Sequence, residues 1–444
     1  MMKREKFWKV FWTITLFAAG AVHFGTAAFR IQSFNYLDFS SYYVAATASR
    51  LDISPYPFSA ELLASVAETH DFPDKLPQFN SPPLWAWLLQ PLATLPLVSA
   101  AVLWLVILFA ITICCHVLLI KIAGYKDWRI ILFTLPITVT FGPVFLSLTL
   151  GQNAIVLLLC ALIMGEFLRK RSRYFSVLWI PVWIVAVAGK IFPVLWLGCR
   201  PFITRPRRFL IASVFCLAAF LGAAWLKPAV NDSYWRHFIV HRTQKFTQKG
   251  VGIDDQAINA YFSRIGKSRK FVLRGINLQE KHKVIWNMPW EFSDRSIFLT
   301  SLTIVVLLGI WLLYSWIRSR NRSPDRELYS LILFTLVFFP HMQRYNHLLA
   351  LPAMALLWQR GGWGRNLAIA AYALFALSRL NHVWAIYFPS TLASMASGFG
   401  LFGVLILFIG VTCSFLMLPR EQHPTQGEAY HAHHSQSIYS APGE

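Results

Sequence analysis

The chain has 444 residues, of which 56% are hydrophobic, 16% aromatic and only 14% charged. That balance lies outside the range of soluble globular domains and marks a polytopic integral membrane protein. The net charge of +21 is divided among short segments flanking apolar runs rather than gathered into one patch, which excludes a nucleic-acid surface.

The first apolar run, Phe7 to Phe29, follows a basic start at Lys3, Arg4 and Lys6. It is as long as a spanning helix, and Ala27-Ala28-Phe29-Arg30 makes a poor cleavage site, so it reads as a retained first span rather than a removed leader. Further spans are expected near Leu97 to Ile120, Ile130 to Leu150, Ala154 to Leu168, Phe209 to Leu226, Ile297 to Ile317, Leu328 to Phe339, Leu348 to Trp358, Leu367 to Leu377 and Gly398 to Leu418. The stretch from Tyr174 to Cys199 is interrupted by Pro181, Gly189, Lys190 and Pro193 and has basic clusters on both sides. Two cytoplasmic flanks require a hairpin, hence two half-helices meeting near Lys190 at the outer side. The expectation is an all-α bundle of about 12 membrane helices, several shorter than the roughly 20 residues of a straight crossing. No long internal repeat is visible.

Orientation follows from Lys and Arg. Basic clusters fall at the N-terminus, at Lys121, Lys126 and Arg129, from Arg169 to Arg173, from Arg200 to Arg208, from Arg318 to Arg326, and at Arg360 and Arg365. Placing each in the cytoplasm threads the intervening runs consistently and leaves both termini cytoplasmic. Two large outer segments remain. Arg30 to Pro96 has the Trp and Tyr content of short interfacial helices, one of them over Ser40 to Leu51. Lys227 to Arg295 carries thirteen Lys and Arg against six Asp and Glu. Long loops are exempt from the charge rule, and this one also suits anionic lipid or phosphate. Residues 1–420 thus form a single transmembrane domain. The polar tail from Glu421 to Glu444, with His423, His431, His433 and His434, reads as solvated and disordered rather than as a metal site. All six cysteines lie in or beside apolar runs without metal-ligand spacing, which points to core packing, no disulfide and no zinc.

Asp38, in Asn35-Tyr36-Leu37-Asp38-Phe39-Ser40-Ser41-Tyr42-Tyr43, is the candidate catalytic base. An acidic group at the water-facing end of a spanning helix is costly to keep, and it can accept a proton from a bound hydroxyl. A helix cap, or an ion pair with Arg30 or Arg50, is the plainer reading. Lys190, at the break between apolar half-helices, suits a phosphate partner, with snorkelling as its alternative. Arg344, His341 and His347 share a short turn and offer donors to phosphate or sugar hydroxyls; a solvated loop explains them equally. Gln152 with Asn153, and Gln256 with Asn259 at helical spacing, offer amides that both donate and accept; capping explains Asn153 as well. Tyr42, Tyr43, Trp85 and Trp87 suit a sugar or isoprenoid platform, or an interfacial aromatic belt. There is no Walker loop, dinucleotide fingerprint, His-Glu-x-x-His motif or nucleophile elbow.

Taken in order, these motifs resemble glycosyltransferase family 87. Asp38 through Ala46, Pro55-Tyr56, Ser81-Pro82-Pro83-Leu84, Pro91-Leu92 and Leu95-Pro96 resemble the family's opening third. The similarity continues through Gly151-Gln152-Asn153, Lys190-Ile191-Phe192-Pro193, Asp255-Gln256-Ala257-Ile258-Asn259 and Pro340 to His347 followed by Leu351-Pro352. The resemblance implies a bundle of the GT-C type and a polyprenyl-phosphate-linked sugar donor, usually mannose. It further implies transfer to a lipid or glycan acceptor of the envelope on the outer face of the cytoplasmic (inner) membrane, with Asp38 as base and no cofactor. The late motif departs from the family pattern: members often have Ser before its Pro and a Trp and paired His after it, whereas Phe339-Pro340 through His347 has Phe before the Pro and only one His of that pair. A lipid phosphate is already a good leaving group, so a base, positioned cations and alignment suffice, without metal and with inversion. The alternatives are a secondary transporter or lipid flippase, since broken helices and an intramembrane cation also mark transport pathways, a ligase or acyltransferase of envelope polymers, and a structural scaffold.

Overall fold

The computed structural model describes residues 10, 11, 14, 18, 21, 22, 25, 26, 37–56, 58, 62–64, 79–170, 175–199, 206–226, 228, 232–236, 255–274, 281–319, 323–339, 342–380 and 387–417. Most of the expected first span, His341 and the 421–444 tail lie outside the described residues. The described residues are mostly helical. Helix α1 is Leu37–Arg50, α2 is Pro83–Leu88, and a 3₁₀ turn, Leu92–Thr94, leads into α3, Leu97–Ile122. The helices α4 (Trp128–Thr140), α5 (Gly142–Leu150), α6 (Ala154–Lys170), α7 (Phe175–Gly189) and α8 (Pro206–Leu226) follow, with a 3₁₀ turn over Phe192–Gly198 before the last. Then come α9 (Ile258–Ile265), strands β1 (Arg269–Arg274) and β2 (Lys281–Trp286), α10 (Asp294–Arg318) and α11 (Pro324–Phe338). A 3₁₀ turn over Arg344–Ala350 opens the last section, which contains α12 (Leu351–Arg360), α13 (Gly362–Ser378), α14 (Ser390–Ala396) and α15 (Phe399–Met417).

Among the described residues, three stretches are long and apolar enough to cross a membrane: Leu97–Ile122, Asp294–Arg318 and Ser390–Met417. The expected single span over Ile130 to Leu150 is instead the pair α4 and α5, bent by 70°. The cause is local. Phe141 adopts extended backbone, and Pro143 has no N–H to offer the carbonyl four residues earlier, so the helical ladder cannot run through. The broken stretch around Lys190 also differs from two α-helices: α7 ends at Gly189, and the second piece is a seven-residue 3₁₀ turn.

The described residues fit an all-α membrane protein, with one small hairpin added to it. In the second large loop β1 and β2 pair antiparallel, with Phe271 opposite Val284 and Val272 opposite Lys283. Both segments mix β-branched or aromatic residues with cations, a composition that favours a strand over a helix.

The last helix is the spine of the core. Helix α15 packs on α10, α11, α12 and α13, and its glycines permit close approach. A Cβ on Gly410 would stand 2.9 Å from a Leu367 methyl and 3.0 Å from one of Leu357, and on Gly403 it would stand 3.1 Å from the Phe375 ring. Small residues of this kind allow helix backbones to pack closely in a membrane, where dispersion rather than water exclusion rewards contact. Between α5 and α6, Gly151 turns the chain with φ 71°, a conformation that costs residues bearing a Cβ. Gly151→Ala is therefore expected to destabilise the protein by about 1 kcal/mol, read as a lowered midpoint of thermal unfolding in detergent.

Candidate active site

The site begins at a helix end that cannot close its own hydrogen bonds. In a continued α-helix the carbonyl of Gly189 would accept from the N–H of residue 193, and that residue is Pro193. Two side chains from distant parts of the chain take its place. Ser81 Oγ donates to the Gly189 oxygen at 2.9 Å, and Asn153 Nδ2 donates to the same oxygen at 2.9 Å. The break is braced further by Trp183 Nε1, which donates to the Pro193 carbonyl at 2.9 Å. Asn153 is thus tied to the broken helix, and its amide does not serve as a cap for α6. Its Oδ1 accepts no hydrogen bond among the described residues.

The same knot reaches Asp38 through Tyr42. Gly151 turns the chain so that Gln152 and Asn153 follow side by side, and both are buried. Tyr42 Oη donates to Gln152 Oε1 at 2.9 Å, while the Tyr42 ring meets Phe79 and Trp85 edge-on at 6.1 and 6.4 Å. Asp38 sits one turn earlier in the first turn of α1, half-buried, its carbonyl accepting from Ser41 Oγ at 2.8 Å. A carboxylate in that first turn is favoured by the helix dipole. Burial holds the Tyr42 phenol well above its ordinary pKa, and the Asp38 carboxylate and then Tyr345 push the same way. Tyr42 therefore stays protonated and remains a donor to Gln152.

Lys190 completes this group. It is half-buried at the end of α7, with Nζ 5.3 Å from the centroid of the Tyr345 ring. Tyr345 lies in the 3₁₀ turn beside Arg344, whose Nη1 donates to the carbonyls of Ser378 at 3.0 Å and Arg379 at 3.3 Å. Hydrogen bonds thus join Tyr42, one turn after Asp38, through Gln152, its neighbour Asn153 and the Gly189 carbonyl to the residue before Lys190, and Lys190 meets Arg344 through the Tyr345 ring, which makes these residues one candidate set. The aromatic members Tyr345 and Phe79, the hydroxyl of Ser81 and the cation Arg379 were not singled out from sequence, although Tyr345 and Ser81 lie inside the recognised motifs.

A second set lies deeper. His347 is fully buried, packs on Phe375 with ring centroids 5.3 Å apart, and has no hydrogen bond to either ring nitrogen among the described residues. A Cβ placed on Gly400 would stand 2.6 Å from the His347 ring and 2.9 Å from Gln256 Oε1, so both side chains converge on that glycine. Gln256 precedes α9, bound through its backbone N–H to the Met342 carbonyl at 2.7 Å, with Asp255 bridged to Gln343. The expected shared helical face of Gln256 and Asn259 is therefore corrected: Asn259 is in the first turn of α9 and Gln256 is outside it. Arg264, fully buried, secures this loop by donating through Nε to Ser397 Oγ at 2.9 Å and through Nη1 to the Asp255 carbonyl. Tyr43 is not part of either set, because its hydroxyl donates to the Leu95 carbonyl at 2.8 Å and fastens α1 to the Leu92–Thr94 turn.

The family model of glycosyltransferase family 87 matches residues 79–340, more than half of the chain. The chain belongs to glycosyltransferase family 87. Neither the curated proteins nor the solved structures contain a match. Membership in this family makes the chain a glycosyltransferase and sets aside the transporter, flippase and scaffold alternatives. The matched region takes in Ser81, Gln152, Asn153, Lys190, Gln256 and Asn259, and it lies between α1, which carries Asp38, and the 3₁₀ turn, which carries Arg344 and His347.

The shared acceptor at Gly189 generates a specific expectation. Ser81→Ala or Asn153→Ala alone leaves one donor on the carbonyl and is expected to cost about 1 kcal/mol. The double variant orphans a buried acceptor and is expected to cost more than the sum of the two singles, measured as a coupling energy from unfolding in detergent.

Proposed function

We propose that this family 87 enzyme transfers a hexose, first of all mannose, from a polyprenyl-phosphate donor to an envelope glycolipid or glycan on the outer face of the cytoplasmic membrane. The observation that carries this reading is the path of contacts from α1, where Asp38 and Tyr42 are one turn apart, through Gln152, Asn153 and the Gly189 carbonyl to Lys190, and over the Tyr345 ring to its neighbour Arg344. A carboxylate at one end and cations at the other are what an inverting transfer from a lipid phosphate requires.

In that reaction the acceptor hydroxyl gives its proton to the Asp38 carboxylate as its oxygen bonds to the anomeric carbon. The bond from that carbon to the phosphate oxygen breaks, and its electron pair leaves with the phosphate. Attack from the opposite face inverts the centre. Lys190 and Arg344 face the departing charge, with the Tyr345 ring beneath the ammonium. Because phosphate departs ionised, no partner acid is needed. The amides of Gln152, Asn153, Gln256 and Asn259 suit sugar hydroxyls, and His347, in the deeper set, is assigned to the donor side with Lys190 and Arg344.

Purified protein in detergent, supplied with radiolabelled polyprenyl-phosphate-mannose and envelope lipids, tests the proposal. Wild type is expected to transfer label, Asp38→Asn to lose at least about 100-fold in rate, and EDTA to leave the wild-type rate unchanged. Equal transfer by wild type and Asp38→Asn, or loss with EDTA that a divalent ion restores, contradicts it. Orientation is checked separately in a background lacking native cysteines. Thr94→Cys is expected to react with a membrane-impermeant maleimide on intact cells, and Lys126→Cys only after lysis.

A further inference from the structure

Arg379 ends α13 as the residue just past Ser378, and no expectation from sequence included it. Its guanidinium carbon lies 3.9 Å from the centroid of the Phe145 ring on α5. Its side chain passes over Gly142, where a Cβ would stand 3.9 Å from Arg379 Cδ and 4.0 Å from its Cβ. Arg344 is immediately adjacent, since it donates to the carbonyls of Ser378 and Arg379. Burial, and then the charge of Arg344, lower the pKa of Arg379. The Arg344 guanidinium thus sits against the Arg379 backbone, and its charge reaches the exposed Arg379 side chain. Among the described residues no carboxylate pairs with Arg379.

The two cations differ in how they are held. Arg344 spends donors on two backbone carbonyls, whereas Arg379 is positioned by stacking. A guanidinium lying on an aromatic face keeps its in-plane N–H donors available, in the fork geometry that suits two oxygens of a phosphate. The phosphate chemistry supplies a matching need. A sugar attached to a polyprenyl phosphate is a phosphodiester with one negative charge. When the anomeric carbon–oxygen bond breaks and both electrons remain on oxygen, the departing lipid phosphate becomes a dianion. A second charge thus appears only as the reaction proceeds, and a cation matched to it lowers the barrier without tightening donor binding.

We propose that Arg379 is a catalytic residue that contacts the leaving phosphate and stabilises this second charge, an inference that rests on the reading of the donor as a polyprenyl-phosphate sugar. Phe145 is its positioning residue.

Steady-state transfer from polyprenyl-phosphate-mannose by the full chain in detergent separates the outcomes. Arg379→Gln is expected to lower kcat about 100-fold, with donor KM changed by less than about threefold. Arg379→Lys is expected to recover part of kcat, and Phe145→Leu to fall between wild type and Arg379→Gln. Thermal unfolding midpoints of all variants are expected to match wild type. A kcat for Arg379→Gln within twofold of wild type overturns the inference while leaving the donor reading intact. So does a raised KM at unchanged kcat, which would make Arg379 a ground-state contact. A loss of kcat accompanied by a lowered unfolding midpoint and no recovery in Arg379→Lys also overturns it. Failure of wild type to use any polyprenyl-phosphate sugar overturns the donor reading and this inference together.

Discussion

The arrangement of the candidate site depends on one backbone oxygen. The Gly189 carbonyl lies among apolar helices and has lost its helical partner to Pro193, and a buried acceptor left in that state costs about 1–3 kcal/mol. Ser81 and Asn153 both donate to it, so the first large loop and the turn before α6 are drawn to the same point. Gln152 comes with Asn153 as its chain neighbour, and Tyr42 comes with Gln152 through its hydroxyl. Asp38 then occupies its place because α1 is rigid over the single turn that separates it from Tyr42. A helix break that reads as a defect in the bundle is the element on which three separated motifs converge.

The 3₁₀ turn over Arg344–Ala350 provides the second organising feature. Residues three apart eclipse one another in this geometry, so Arg344 and His347 project along the same line. That line follows α13, where Arg344 meets the carbonyls of Ser378 and Arg379 and His347 meets Phe375, three residues earlier. The glycine at position 400 admits His347 and Gln256 together. The turn therefore joins the cation-bearing end of the site to the buried polar set below it, and the Met342 carbonyl, which accepts from the Gln256 N–H, fixes the second large loop to the same segment.

Much of this was legible in the residues. Asp38, Lys190 and Arg344 stand out because isolated charges beside apolar runs are costly and demand partners. The break at Lys190 was visible because Gly189 and Pro193 bracket it. Other features were not legible. Gln256 and Asn259 have helical spacing, yet a backbone contact with Met342 keeps Gln256 out of α9. The stretch from Ile130 to Leu150 is apolar throughout, so hydropathy shows one span where Pro143 imposes a 70° bend. Arg379 resembles any cation at the end of an apolar helix, and only its position over Phe145 distinguishes it from one that reaches to the membrane surface.

Composition and charge order alone determined that this is a helical membrane protein, and motif order determined its family, because burial cost and residue chemistry are properties of each position in the chain. Tertiary structure decided which polar groups meet. Ser81 and Asn153 are 108 and 36 residues from Gly189, and no local rule relates them, since the demand they satisfy arises only when a proline-terminated helix is buried in the bundle. The pairing of Arg344 with Arg379 has the same origin: it exists because a 3₁₀ turn packs along the end of α13, a contact between elements that sequence proximity does not encode.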